Sequence, residues 1–307
     1  MSAAGNESMK KKVVGLGEVL WDILPDRTCL GGAPANFAYI TTLLGDQGIV
    51  ASRLGEDSRG LEALRRMEEL RLDIDHVQTD RDHPTGTVNV QLDSKGQAQF
   101  EIAYPVAWDF LEWTNDWQVL AETVDAVCFG SLAQRSEQSR ATIRRFLNSL
   151  KGRAVRIFDV NLRQSYYTQE ILAESMRLAD IVKLNDEELP KIMNLGGLPH
   201  EDELSSAQTL ARTYDLKLVC VTRGGRGSLL VGSGDSSEHR GFQVRVADTV
   251  GSGDAFTAGM VHEYLRGGSL AVMNETANRV GAWVASEVGA MPTPERGTLE
   301  NSLAEIR

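Results

Sequence analysis

The chain has 307 residues, with 32 Lys and Arg against 43 Asp and Glu, so its formal net charge is −11. This acidic balance argues against nucleic acid or an anionic membrane as the main partner, because both bind clustered Lys and Arg. The hydrophobic share of 42% is typical of a globular protein, and there is no apolar run long enough for a membrane span. Three cysteines without metal-ligand spacing argue against a structural zinc site and fit a reducing compartment.

The N-terminal segment lacks the apolar centre of a signal peptide, so we expect a cytoplasmic protein in which residues 1–9 form a disordered tail. The length fits two domains, or one large domain with an appendage. Short, nearly continuous apolar runs predict buried strands at 11–18, 48–54, 126–131, 154–160, 180–185 and 217–223. Longer amphipathic stretches predict helices at 34–44, 57–71, 136–150, 170–179, 202–214, 254–266 and 270–288. This alternation predicts an α/β fold with a mostly parallel sheet covered on both faces.

One segment departs from this pattern. Apolar and polar residues alternate over 85–93 and again over 97–102, around a possible turn at Ser94-Lys95-Gly96. Period-two alternation around a short glycine turn predicts an antiparallel hairpin. Such a hairpin could cover an active site, contact a second copy, or lie at the edge of the main sheet.

A glycine-rich turn that leads into an apolar helix is the strongest chemical signal. In the segment ADTVGSGDAFTAGM, the backbone N–H groups of Gly251, Ser252 and Gly253 would point out of a helix N-terminus and form an anion site. Asp254 opens the helix beside that site. A carboxylate there repels an anion, but it is useful if it takes a proton from a hydroxyl that attacks phosphorus. The alternative is a simple helix cap.

Two long motifs resemble the signatures of the ribokinase-like (PfkB) carbohydrate kinase family. DTVGSGDAFTAGM resembles the C-terminal signature, and LGGAPANFA at 30–38 resembles the N-terminal one. The resemblance extends from about Lys12 to Pro294 and is greatest to bacterial fructokinases. It implies a three-layer α/β/α kinase domain at 10–307, with a small β-sheet lid built from about 20–32 and 85–102.

The resemblance also implies roles for individual residues. Asp254 would be the general base, and Gly251, Ser252 and Gly253 would be the anion hole for the transferred phosphoryl group. The sugar would contact Asp22, Gly31, Gly32, Asn36 and Arg163. The last lies in FDVNLRQ (158–164), which ends a strand; Asp159, Asn161 and Arg163 alternate by two there and would share a face while the strand lasts. A structural salt bridge is the alternative role for Arg163.

The nucleotide site implied by the resemblance lies in three further segments. KLNDEEL (183–189) supplies Asn185, VTRGGRGS (221–228) supplies Thr222, Gly224 and Gly227, and the last long helix supplies Asn278. Gly251 and Gly253 would also contact ATP. Read alone, Asn185 could simply cap a helix, and Asn278 could be an exposed helix residue. A Walker A motif is absent, and GGRGS leads into an apolar run rather than a helix, which excludes a dinucleotide loop.

Two kinds of cation follow from the same resemblance. Glu188 would bind Mg²⁺ through water, since Mg²⁺ prefers oxygen ligands and keeps several waters. Asp248, Val250 and Gly289 match a possible K⁺ site, because K⁺ suits a cage of carbonyl oxygens.

The sequence therefore predicts transfer of the γ-phosphoryl group of Mg-ATP to a sugar hydroxyl, with fructose as the first candidate. Ribose, 2-keto-3-deoxygluconate and nucleosides stay open as substrates. A catalytically silent sugar- or nucleotide-binding regulator is the alternative from another class. A dehydrogenase is disfavoured, because neither glycine cluster joins a strand to a helix with an acidic residue about 20 positions later. A homodimer through the lid is a further expectation.

Overall fold

The computed structural model describes residues 10–92, 98–294 and 297–306, with side chains described outside 90–100. The predicted tail at 1–9 and the predicted turn at Ser94-Lys95-Gly96 lie outside the described residues. No helix among the described residues is long and apolar enough to cross a membrane.

Thirteen strands are found in the described part of the chain. In chain order they are β1 (Lys12–Leu16), β2 (Leu20–Ile23), β3 (Thr28–Gly31), β4 (Gln47–Gly55), β5 (Val77–Asp80), β6 (Gly86–Leu92), β7 (Ala98–Ile102), β8 (Ala126–Gly130), β9 (Val155–Asp159), β10 (Ile181–Asn185), β11 (Leu218–Thr222), β12 (Ser228–Gly232) and β13 (Ser236–His239).

Ten α-helices accompany these strands over the same residues. They are α1 (Ala33–Leu43), α2 (Ser58–Glu69), α3 (Asn115–Thr123), α4 (Glu137–Ser149), α5 (Gln169–Leu178), α6 (Glu188–Leu195), α7 (Glu203–Tyr214), α8 (Ser252–Tyr264), α9 (Leu270–Ser286) and α10 (Leu299–Leu303).

The main sheet has nine strands in the order β13-β12-β11-β10-β9-β8-β1-β4-β5. All neighbours from β11 to β5 run parallel, and β12 and β13 add antiparallel strands at one edge. The six strands predicted from apolar runs are all present, and the predicted α/β class is confirmed. β5 and β13 escaped prediction because VQTD and SSEH are short and polar, as edge strands can be.

Three α-helices were also missed: α3, α6 and α10. The sequence of α6, ELPKIMNL, contains a proline in its first turn, where proline is tolerated although it reads as a helix breaker in the sequence. The sequence of α3, NDWQVLAET, buries only a narrow apolar stripe that includes Trp117 and Leu120. The three helices have only 9, 8 and 5 residues, so their periodicity spans too few turns to identify them.

Each face of the main sheet carries its own apolar layer. Along β1, Val14 and Leu16 pack into one layer, whereas Val13 packs into the other, because successive side chains of a strand point to opposite faces. The first layer contains Trp108, Phe129 and Phe158, and the second contains side chains of α1, α8 and α9. Burial on both faces explains why the parallel strands are almost continuously apolar.

A second, smaller sheet has four strands in the order β3-β2-β6-β7. The hairpin predicted over 85–102 is present as the antiparallel pair β6 and β7, and β2 joins it in parallel. The hairpin is therefore not an edge of the main sheet. Val88 and Ile102 lie opposite each other and are buried; the side chains of the other two predicted face residues, Val90 and Phe100, lie outside the described ones.

Candidate active site

The glycine-rich turn forms the N-terminus of α8. Gly251 has a φ of 78°, in the left-handed region that favours glycine, and is the residue before the helix. Ser252 N–H lies 3.3 Å from the Thr249 carbonyl oxygen and closes the turn. Among the described residues, none accepts a hydrogen bond from the N–H groups of Gly251, Gly253 or Asp254. The turn therefore offers unpaired donors at the positive end of a helix, as an anion site requires.

Asp254 lies beside these donors and contacts the first signature motif. Asn36 Nδ2 donates to Asp254 Oδ2 at 2.8 Å, although 218 residues separate the two in sequence. Burial raises the pKa of the Asp254 carboxyl to about 6, and the charge of Asp159 adds to this effect. The Asn36 hydrogen bond and the charges of Lys183 and Arg163 oppose the rise. A carboxylate with such a pKa is a suitable proton acceptor near neutral pH.

The small sheet brings its own carboxylate to this end of the molecule. Asp22 lies on β2 next to Gly31 of β3, where a methyl group on Gly31 would come within 2.7 Å of Asp22 Oδ2. Gly32 has a φ of 107° and precedes α1, and a methyl group there would lie 2.4 Å from the Glu18 carbonyl oxygen. The glycine pair therefore lets the backbone pass close to both acidic residues.

The positive charge of Arg163 acts on the carboxyls of both Asp22 and Asp254. Burial raises the pKa of Asp22 to about 6, and Arg163 opposes that rise as it does for Asp254. The face expected for Asp159, Asn161 and Arg163 does not extend past Asp159, because β9 ends there and Asn161 has a φ of 40°. The Arg163 side chain is exposed, and among the described residues it forms no ion pair with a carboxylate. The alternative role of a structural salt bridge therefore has no support.

Glu18 is a site residue that sequence reasoning missed. It follows β1, is only 4% exposed, and its Oε2 has no hydrogen-bond partner among the described residues. Burial raises the pKa of Glu18 to about 7, and the charge of Asp254 raises it further, against Arg163 and Arg135. The available signal was a glutamate directly after a continuous apolar strand, in GLGEVLWD.

A buried ion pair lies beneath the glycine turn. Lys183 Nζ donates to both carboxylate oxygens of Asp159, at 3.0 and 3.2 Å, and Thr257 Oγ1 donates to Asp159 Oδ2 at 3.0 Å. A methyl group on Gly253 would lie 3.1 Å from Lys183 Nζ. Lys183 was also missed, although a lysine inside the apolar run IVKLN was a usable signal. It places a positive charge under the proposed anion hole.

The predicted nucleotide residues lie along neighbouring strand ends. Asn185 and Thr222 are register partners at the ends of β10 and β11. Gly224 and Gly227 form the next turn with φ of 57° and 82°, and a methyl group on Gly227 would collide with the His239 carbonyl oxygen. Asn278 is buried rather than exposed, and its Nδ2 donates to Ser228 Oγ at 2.7 Å. Asn185 and Thr222 thus lie at the carboxyl ends of parallel strands, where open α/β sheets bind ligands, and Asn278 of α9 contacts Ser228, the register partner of Thr222.

The side chains of Glu188 and Asn185 both accept hydrogen bonds from nearby backbone N–H groups. Glu188 Oε1 accepts from Leu162 N–H at 2.7 Å, and Oε2 accepts from Asn185 N–H at 2.9 Å. Asn185 Oδ1 in turn accepts from the N–H groups of Glu187 and Glu188, as a cap of α6. Each carboxylate oxygen of Glu188 thus accepts one backbone N–H and has only its second lone pair left for another partner.

Asp248 ties together the residues of the predicted K⁺ site. Its Oδ1 accepts from Val250 N–H at 3.0 Å, and its Oδ2 accepts from Gly289 N–H at 3.3 Å. Arg27, in the turn between β2 and β3, donates to the same Oδ2 at 3.1 Å. The small sheet is thereby connected to the glycine turn. Within 10–92, 98–294 and 297–306, no three His, Cys, Asp or Glu residues group as metal ligands.

Replacing Gly251 with alanine tests the glycine turn. A Cβ at this position would lie 2.5 Å from Ala290 Cβ and would also force a side chain into the left-handed φ region. We expect loss of about 1–3 kcal/mol in the free energy of unfolding, with loss of anion binding at the turn. Chemical denaturation and phosphate titration measure the two effects. Gly267→Ala, with a φ of 74° and nothing near its Cβ position, is the control for the φ cost alone; equal losses in both variants would contradict the predicted collision.

Comparison with known proteins identifies the family. The chain matches the model of the pfkB family carbohydrate kinases over residues 27–296. It is 30% identical over 303 residues to a fructokinase of Salmonella typhimurium, covering 95% of this chain and 96% of the relative. Its fold matches the Vibrio cholerae O395 fructokinase solved with fructose, ADP and calcium, with a TM-score of 0.82, 25% identity, and coverage of 98% and 100%.

A sugar kinase from Pyrococcus horikoshii solved with ATP gives a TM-score of 0.78 at 27% identity, covering 95% of this chain and 99% of that one. The family match, the curated relative and the two structures agree along almost the whole chain, and the glycine turn with its acidic neighbour lies inside the matched region. The predicted family is confirmed: this chain belongs to the PfkB family of carbohydrate kinases.

Proposed function

We propose that this sugar kinase transfers the γ-phosphoryl group of Mg-ATP to a hydroxyl of fructose. The observation that carries the proposal is the Asp254 carboxyl, which is bonded to Asn36 and lies beside the unpaired N–H groups at the start of α8. This arrangement provides a proton acceptor and an anion-binding turn at one point, as phosphoryl transfer to an alcohol requires. The fructokinase relatives and the fructose-bound neighbour support fructose as the sugar.

In the proposed mechanism, the sugar lies between α8 and the small sheet. Asp22 and Asn36 accept and donate hydrogen bonds to sugar hydroxyls, and Gly31 and Gly32 let the backbone approach the ring. Asp254 takes the proton of the attacking hydroxyl, and the N–H groups of the glycine turn stabilise the transferred group. The exposed Arg163 guanidinium contacts sugar and phosphate together. The small sheet acts as a lid that excludes water when it closes.

ATP would lie along the edge formed by Asn185, Thr222, Gly224, Gly227 and Asn278, with its phosphates toward Gly251 and Gly253. The ATP-bound relative supports this cofactor. Mg²⁺ would neutralise charge on the phosphates. The remaining lone pairs of Glu188 suit contact with a hydrated ion through water, because its oxygens already hold backbone N–H groups. K⁺ would bind at Asp248, Val250 and Gly289, and a homodimer through the small sheet remains a prediction.

A substrate panel tests the proposal. We would measure ADP release with Mg-ATP and fructose, ribose, 2-keto-3-deoxygluconate, glucose or adenosine, each with and without K⁺. Turnover on fructose above all others is expected. Turnover on another sugar would keep the kinase mechanism and reject fructose. Binding of ATP without turnover on any substrate would favour a silent binding protein.

The pH profile of kcat/KM tests the proposed base. Because the carboxylate is the active form of Asp254, the rate should rise with pH through the raised pKa of about 6, rather than near the usual value of 3.8. Glu18→Gln should leave this acid limb near the same pH, because Glu18, whose pKa is raised to about 7, is still protonated and neutral where Asp254 titrates. An acid limb near pH 4 in the wild-type enzyme would contradict the assignment, as would a limb that disappears in Glu18→Gln.

A further inference from the structure

Arg135 lies where the small sheet joins the main fold, and no role in the proposed chemistry requires it. It ends a short 3₁₀ segment, Leu132–Arg135, that follows β8. Its side chain is 3% exposed. Opposite it runs the chain that leaves β7 and passes through a second 3₁₀ segment, Ala107–Phe110. Arg135 therefore lies between the end of a main-sheet strand and the exit from the small sheet.

Its polar contacts join these two parts. Arg135 Nε and Nη2 donate to the two carboxylate oxygens of Asp109, both at 2.8 Å, in a bidentate pair. Nη2 also donates to the Ala103 carbonyl oxygen at 2.6 Å. Ala103 is the first residue after β7, and its N–H donates to the Thr87 carbonyl oxygen of β6 at 2.9 Å. One side chain thus binds the end of the small sheet directly.

Three aromatic rings fix the plane of the same guanidinium. Its central carbon lies 4.0 Å from the centroid of the Trp108 ring, 4.9 Å from that of Tyr104 and 4.8 Å from that of Tyr166. Tyr104 follows Ala103, whereas Tyr166 lies three residues beyond Arg163. Tyr166 Oη also donates to the Ile102 carbonyl oxygen at 3.4 Å. The rings therefore connect the exit of β7 with the loop that carries Arg163.

Stability alone is a poor reason for this arrangement. Arg135 Nη1 is buried without a hydrogen-bond partner among the described residues, so part of the cost of removing the cation from water is not recovered. Apolar residues of similar volume often stabilise a protein as well as a buried ion pair does. What only an arginine supplies here is a rigid planar fork that holds carboxylate, carbonyl and rings in one orientation.

The sheet register carries this orientation to Asp22. Ile102, which precedes Ala103, is the register partner of Val88, and Val88 is the register partner of Asp22. These three residues form one row across β7, β6 and β2. A displacement of the β7 exit therefore displaces Asp22 along the same row.

We propose that Arg135 is a positioning residue that fixes the small sheet so that Asp22 meets the sugar. The proposal rests on the assignment of Asp22 to the sugar site in the proposed function. It deepens that function by naming the side chain on which the placement of the small sheet depends. Arg135 itself need not contact sugar or ATP.

The test uses Arg135→Lys, which keeps the charge but loses the bidentate fork, and Arg135→Met, which keeps most of the volume. The sugar KM is expected to rise about 10- to 100-fold in both, with an ATP KM changed less than about twofold. Amide hydrogen exchange over 101–106 should become faster, while exchange over β10 and β11 stays as in the wild type. Arg266→Lys is the matched control, because Arg266 forms a two-nitrogen pair with the buried Asp46 far from the small sheet.

The outcomes separate this proposal from the proposed function. Unchanged exchange over 101–106 and an unchanged sugar KM in a folded variant would overturn the role of Arg135, as would equal rises in the KM of sugar and ATP. Effects matched by Arg266→Lys would assign Arg135 to general stability and also reject the proposal. Wild-type protein that phosphorylates no sugar would refute the proposed function. The exchange data would then still decide whether Arg135 holds the exit of the small sheet.

Discussion

Replacing Asp254 with asparagine is expected to lower kcat about 10²- to 10⁴-fold, because asparagine keeps the shape of the side chain but cannot take a proton at neutral pH. The affinity for ATP should change little, since the N–H groups of the glycine turn belong to the backbone. Single-turnover ADP release measures the first effect, and calorimetric titration of ATP without sugar measures the second.

The same variant carries an opposite prediction for stability. The pKa of Asp254 is raised in the folded state, so the fold binds more protons than the unfolded chain between pH 3.8 and about 6, and stability falls as pH rises through that window. At pH 8 the ionised carboxylate therefore destabilises the fold. Asp254→Asn should unfold at the same temperature as the wild type or higher.

Asp57→Asn is the matched control, because Asp57 also stands at the start of a helix and accepts from Gly60 N–H at 2.8 Å. It is not among the residues assigned to proton transfer or to the glycine turn, although it also accepts hydrogen bonds from Thr85 N–H and Oγ1 just before β6. Asp57→Asn should therefore retain kcat and lose stability, because the pKa of Asp57 is lowered in the fold. Near wild-type turnover in Asp254→Asn would remove the base assignment. A comparable loss of kcat in Asp57→Asn would show that the assay reports helix integrity rather than proton transfer.

Replacing Lys183 with methionine is expected to have the largest effect on stability. Lys183 and Asp159 are 8% and 5% exposed, so the substitution leaves an unpaired charge in the core. Burial lowers the pKa of Lys183, but the charges of Asp159 and Glu188 outweigh this and raise it, so the lysine is charged at neutral pH. Removal of one partner of a buried pair costs about 3–5 kcal/mol of unfolding free energy. Chemical denaturation at pH 7.5 measures this loss.

A double variant separates the ion pair from simple packing. Asp159→Asn combined with Lys183→Met removes both charges and should recover at least half of the lost stability. Lys217→Met is the control: Lys217 Nζ lies 2.8 Å from Asp180 Oδ1, but the lysine is 58% exposed, so the expected loss is below about 1 kcal/mol. A double variant less stable than Lys183→Met would show that the two charges are not the source of the effect.

The family and the main fold could be predicted because their signals are local. Continuous apolar runs identified the parallel strands, since burial on both faces leaves no polar positions. The glycine turn before α8 could be located because a left-handed φ and free helix N–H groups both depend on a few consecutive residues. The short polar strands β5 and β13 carry no such signal, and neighbouring strands alone determine their place.

The chemistry of the site depends on contacts between distant residues. Asp254 was found as a helix-start acid, but its bond to Asn36, 218 residues away, exists only in the folded chain. Glu18 and Lys183 were single charged residues beside or within apolar runs. Burial raises the pKa of Glu18, whereas the pKa of Lys183 is raised by the charges of Asp159 and Glu188 against the effect of burial. Asp159 and Arg163 were expected to share a face for as long as the strand continued, but β9 ends at Asp159 and Asn161 has a φ of 40°.

The sequence by itself determined most of the strands and helices and the glycine turn before α8, because propensity and periodicity act over a few residues. Only the tertiary structure decided that the pKa of Asp254 is raised and that Arg135 binds the end of the small sheet. It also decided that Glu188 accepts hydrogen bonds from backbone N–H groups instead of facing solvent. These properties arise from desolvation and from the distances between charges, and both are set when remote segments pack together.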